Sequence, residues 1–100
     1  MPIQLHLRIR VEPRRRADFL AFLKRAIPVY ERPGGIRIEL LQDMNDPERM
    51  IEVVHYADRA TFDTDQVRVE TDPENIALLA EWRTLLAEPP IVEFYEIADL

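Results

Sequence analysis

A chain of 100 residues and 11.8 kDa, 47% hydrophobic and 32% charged, is sized for one domain around a single core, residues 1–100. It has no Cys, no Ser, two His and two adjacent Gly, which excludes disulfides, Cys-ligated metal, Ser or Cys nucleophiles and a Gly-rich phosphate loop. The net charge of −6 opposes nucleic-acid binding, because the one basic run, Arg14-Arg15-Arg16, is answered by acids throughout the chain.

Residues 3–11 alternate. Ile3, Leu5, Leu7, Ile9 and Val11 are apolar, whereas Gln4, His6, Arg8 and Arg10 are polar, the period of a strand with one face on a core. This pattern begins at once, without the apolar stretch of a signal peptide, and no run approaches the ~20 residues that cross a bilayer, so a cytoplasmic protein is expected. Pro13 suits a helix start, and Phe19, Phe22, Leu23, Ala26, Ile27 and Tyr30 form one helical stripe. Pro28 predicts a kink or early end, and Pro33-Gly34-Gly35 a stop.

A second strand is expected over Ile36–Gln42 and a third over Met50–Tyr56, joined by the turn-forming segment Asp43–Glu48 as an antiparallel hairpin. Asp58 caps a weak helix running to about Val69, with a thin stripe of Phe62, Gln66 and Val69. Asp72-Pro73-Glu74 is a stronger start. The helix it opens carries Ile76, Leu79, Ala80, Arg83 and Leu86, with Trp82 beside them, and is expected to stop at Pro89-Pro90. The last strand is expected over Ile91–Ile97.

The order β-α-β-β-α-α-β with right-handed crossovers gives an α+β, ferredoxin-like fold, a four-stranded antiparallel sheet in the order 4-1-3-2 with helices on one face. The uncovered face would carry His6, Arg8 and Arg10 from the first strand and Arg37, Glu39 and Leu41 from the second. Its mixture of apolar groups and opposite charges fits a homodimer through that face. The third strand can be read with Glu52 on the uncovered face, which turns His55 toward the helices, and pairs Glu52 and Glu93 with the arginines. In the fourth strand either Phe94 or Tyr95 can point outward.

The strand Ile3–Val11, the segment Tyr30–Ile36 and the segment His55–Phe62 resemble the antibiotic-biosynthesis-monooxygenase-like proteins of the dimeric α+β barrel superfamily. The resemblance covers nearly the whole chain. It implies a dimeric barrel and cofactor-independent oxygenation of a small aromatic or quinol-like molecule. Two positions depart from the family pattern: Val54 stands where a Glu is common, and Asp65 where a helical His is common. They favour the alternative, a non-catalytic dimeric protein that binds a small ligand or serves a structural role.

His55 is the candidate acid/base, since an imidazole exchanges protons near neutral pH. A strand-end His with an ordinary hydrogen bond is the competing reading. Trp82, Tyr56 and Tyr30 are candidate substrate-binding residues by stacking or hydroxyl contact, and Arg83 by its charge; for each, packing or surface exposure is the plainer alternative. No bound metal or cofactor is expected, because the two His lack ligand spacing.

Overall fold

The alternation from Ile3 forms strand β1 (Ile3–Arg10), with Ile3 and Ile9 buried and Leu5 and Leu7 half-buried on the core side. The computed structural model describes residues 1–100. A 3-10 turn, Pro13–Arg15, leads into helix α1 (Arg16–Tyr30), which buries Phe19, Phe22, Leu23 and Ala26. Strands β2 (Ile36–Gln42) and β3 (Arg49–Tyr56) form the hairpin. Helices α2 (Arg59–Thr71) and α3 (Pro73–Thr84) follow, then strand β4 (Ile91–Glu96).

All pairings are antiparallel and the strand order is β4-β1-β3-β2, as the sequence predicts. The three helices lie on one face of this α+β sheet. The main core joins Ile9, Val11 and Met50 of the sheet side to Phe19, Phe22, Leu23, Ala26, Trp82 and Leu85. A second cluster, Ile3, Ile36, Val54 and Tyr56, lies at the other end of the sheet.

Helix α1 runs past Pro28 to Tyr30. The proline removes one donor only, near the helix end, and its carbonyl neighbours find other partners: Glu31 N–H bonds Ile27 O, and Arg68 donates to Val29 O and Tyr30 O at 3.2 and 2.8 Å. Helix α3 ends at Thr84, short of Pro89, because Leu85 N–H turns back to Trp82 O and Ala87 N–H bonds Arg10 O beside the sheet. Asp72 closes α2 and opens α3: its N–H bonds Arg68 O, and its carboxylate accepts from Asn75 N–H at 3.0 Å.

The facing of β3 is the reverse of the reading that turned Glu52 outward. Met50, Val54 and Tyr56 belong to the core clusters, and strict alternation puts Glu52 with them. His55 therefore stands on the uncovered face, where its Nε2 lies 3.2 Å from Glu39 Oε1. Arg8 pairs with Glu93 at 2.9 Å on that face, as expected, but Arg10 pairs with Asp46 at 3.1 Å in the hairpin turn rather than with Glu52. The fourth strand is settled by contact: the Phe94 ring meets Phe62 of α2 on the helix side, and Tyr95 lies against His6 on the other.

Candidate functional site

Two buried acids on the helix side of the sheet organise the space between the layers. Each is held by a neighbour that the fold brings from another element. Glu52 is 3% exposed at the middle of β3, flanked across the sheet by Leu7 and Leu40. Its hydrogen-bond donor is the indole of Trp82, whose Nε1 gives to Oε1 at 2.6 Å. An indole N–H inside a core requires an acceptor, and α3 places Trp82 directly over β3 to find one. Burial without a cationic partner lifts the Glu52 carboxyl to about 7, only partly offset by the Trp82 hydrogen bond. Tyr30, at the end of α1, stands near enough to feel both Glu52 and Glu81. Burial first, and those charges second, push its phenol far above the ordinary value.

Asp65 is the only residue of α2 that is fully buried. It accepts from the Tyr56 hydroxyl at 2.6 Å through Oδ2 and from Arg68 Nε at 3.1 Å through Oδ1. Both carboxylate oxygens are thus engaged. The Tyr56 phenol is held protonated, its ionisation opposed by burial and by donation to Asp65. Arg68 also spans to the α1 carbonyls, so this cluster ties three elements together.

The helices leave part of the sheet uncovered on their own side. Leu5 and Leu7 of β1 are half-buried, and their partners across β4, Phe94 and Val92, are 58% and 47% exposed. The Phe62 ring stands edge-on to Tyr56 at 5.2 Å and to Phe94 at 5.8 Å. An apolar trough with an aromatic wall at Phe62 therefore lies along β4 and β1, and in the sheet Leu7 separates its open Val92 end from the buried Glu52. On the opposite side of α2 a pocket of about 260 Å³ opens between Gly34, Ile36, Thr61 and Thr64, with Asp65 and Arg68 in its lining.

Of the residues singled out from the sequence, Tyr56, Tyr30 and Trp82 are brought to this inner face: Tyr56 donates to Asp65, Trp82 donates to Glu52, and Tyr30 packs against the main core. His55 lies on the opposite face of the sheet, and Arg83 is exposed on α3. Glu52 and Asp65 were not read as functional candidates. The signals for them were indirect: a single Trp needing an acceptor, and an acid flanked by Phe62, Gln66 and Val69 on the stripe of an otherwise polar helix.

The family model for antibiotic biosynthesis monooxygenases matches residues 2–65. In structure, the chain is similar to a candidate antibiotic biosynthesis monooxygenase of Bordetella bronchiseptica, at 29% identity and a TM-score of 0.71 over 97% of each chain. It is also similar to SnoaB, a cofactor-independent oxygenase from Streptomyces nogalater, at 15% identity and a TM-score of 0.78, covering 99% of this chain and 95% of that one. A conserved protein of Methanosarcina mazei aligns with a TM-score of 0.79 at 16% identity, covering 95% of this chain and 91% of that one. A search of curated protein sequences finds no match. No helix is long and apolar enough to cross a membrane.

Proposed function

The chain belongs to the antibiotic biosynthesis monooxygenase family, and from that premise we propose that it is a cofactor-independent monooxygenase-like protein acting on a small aromatic or quinol-like molecule. The observation that carries the reading is the trough itself. Its exposed Phe94 and Val92, the edge-on ring of Phe62 and the half-buried Leu5 and Leu7 offer a planar apolar guest a surface of matching chemistry. In this proposal Tyr56, Trp82 and Tyr30 border the guest at its inner edge. His55 and Arg83 have no part in it, because neither faces the space between the layers. Oxygen would react with the electron-rich anion of the substrate, so the protein has to bind, orient and ionise its guest.

The same reading takes the protein to be a homodimer through the uncovered sheet face. Support comes from the apolar residues left open there, Leu41, Ile91 and Tyr95, interleaved with the pairs Arg8–Glu93 and His55–Glu39. One observation favours the alternative of a non-catalytic binding protein: beneath α1 and α3 the layer is filled by Phe19, Phe22, Met50 and Trp82, which leaves a ligand only the margins of the helix layer.

Oxygen consumption with a panel of quinols and anthrones decides between the two. Turnover above the uncatalysed rate, reduced at least tenfold by Phe94→Asp, is the expected result. Saturable binding of the same compounds with no oxygen consumed would leave the binding protein standing instead.

A further inference from the structure

We infer that Glu52 is the proton acceptor of this site, the group that ionises an acidic C–H or O–H of the guest lying in the trough. The inference rests on the reading of the trough as a substrate site and names the residue that does its first chemical step. The two buried acids differ in how their oxygens are engaged. Asp65 is spent: one oxygen accepts from the Tyr56 hydroxyl and the other from the Arg68 guanidinium, so both are already engaged within the protein. Glu52 has one indole donor on Oε1, and Oε2 takes no hydrogen bond from the protein.

The surroundings agree from every element packed against it. Leu7 and Leu40 flank it within the sheet. Helix α3 offers the neutral Trp82 and, farther out, Glu81, which is itself paired with Arg25. Helix α1 offers the neutral Tyr30, and the one cation of α2 nearby, Arg68, is committed to Asp65 and to the α1 carbonyls. No positive charge is placed to hold Glu52 ionised. A carboxylate in such a setting titrates near neutrality and accepts protons that an exposed one would leave in place. The row Glu52–Leu7–Val92 crosses three strands on one face and is exposed at its Val92 end. A planar molecule resting on Val92 and Leu7 would have its inner edge toward β3, where Glu52 is the residue beside Leu7.

In the step proposed, the substrate C–H or O–H bond breaks, the proton passes to Glu52 Oε2, and the bonding pair stays on the substrate as an enolate or phenolate. The products are that anion and a neutral Glu52 carboxylic acid.

The step can be watched without oxygen. Anthrone in deuterated buffer under argon exchanges its acidic methylene hydrogens, and NMR follows the rate. The wild-type protein is expected to accelerate this exchange with a midpoint near pH 7, and Glu52→Gln to lose at least about a hundredfold of the acceleration. Trp82→Phe keeps the ring packing and removes the indole donor. It is expected to retain exchange with its midpoint moved to higher pH, a shift that a purely structural Glu52 would not give. Exchange by Glu52→Gln equal to wild type, no acceleration by wild type, or an unmoved Trp82→Phe midpoint overturns the assignment. Should Glu52→Gln fail to fold by circular dichroism, the Trp82→Phe midpoint decides alone. Exchange under argon with no oxygen uptake in air would sink the oxygenase reading and leave Glu52 as the base. Undiminished oxygen uptake by Glu52→Gln would do the reverse.

Discussion

Glu52 and Trp82 make a pair whose state can be read in solution, because Trp82 is the only tryptophan. The carboxyl rises from 4.5 to about 7 on burial. The folded protein thus holds this proton more tightly than the unfolded chain. The resulting stabilisation is fully present below the unfolded value of 4.5 and is lost as pH rises through about 7. The whole effect is about 3 kcal/mol. Between about pH 5 and about pH 8.5, urea unfolding should show the wild type losing about 2–3 kcal/mol more than Glu52→Gln. Over the same range the Trp82 emission should titrate with a midpoint near pH 7 in the wild type and stay flat in the variant.

Arg68 works at the scale of elements. Three of its nitrogens reach Asp65 of its own helix and the last carbonyls of α1, and it is one-fifth exposed. Arg68→Ala would leave Asp65 buried with half its partners and free the end of α1 past Pro28. A loss of about 3 kcal/mol is expected, with faster amide exchange confined to the last turn of α1 and to α2. The turn that follows α1 gives a second prediction. Gly34 and Gly35 both have positive φ, 83° and 72°, but a Cβ on Gly34 meets nothing within 4 Å, whereas one on Gly35 meets Thr61 Cγ2 at 3.3 Å. Thermal melts should therefore rank Gly35→Ala below Gly34→Ala, the first losing both backbone freedom and the packing of α2 on the turn. Element types and strand order were legible because β1 alternates without exception and because Asp72-Pro73 and Pro33-Gly34-Gly35 are strong punctuation. The facing of β3 was not, since Met50/Val54/Tyr56 and Ile51/Val53 are both apolar sets and only tertiary contact with Trp82 settles which one carries an acid inward. The expectation for His55 failed with that facing: with Glu52 taken outward, alternation turns His55 toward the helices, whereas the structure turns Glu52 inward and His55 out to Glu39.

As a whole the protein is a slab, 38 × 37 × 20 Å, one sheet and one helix layer thick. Its surface of 6430 Å² exceeds the about 5,900 Å² usual for a monomer of this mass, and 17 of 100 residues are buried. A second copy on the uncovered face would remove the excess. Sedimentation at micromolar concentration should then show a dimer, and Leu41→Asp should raise its Kd at least tenfold; a monomer under these conditions would dispose of the dimer. The slab also has an order of assembly written into it. Strand β1 is the only partner of β4, and the two lie at residues 3–10 and 91–96. While the ribosome is still making the residues between them, β1 can pair with β3 but leaves its other edge of N–H and C=O groups open, beside Leu5 and Leu7. Until β4 arrives, the wall of the trough that bears Phe94 and Val92 does not exist, so a nascent chain has its buried acids before it has the surface on which a guest could rest.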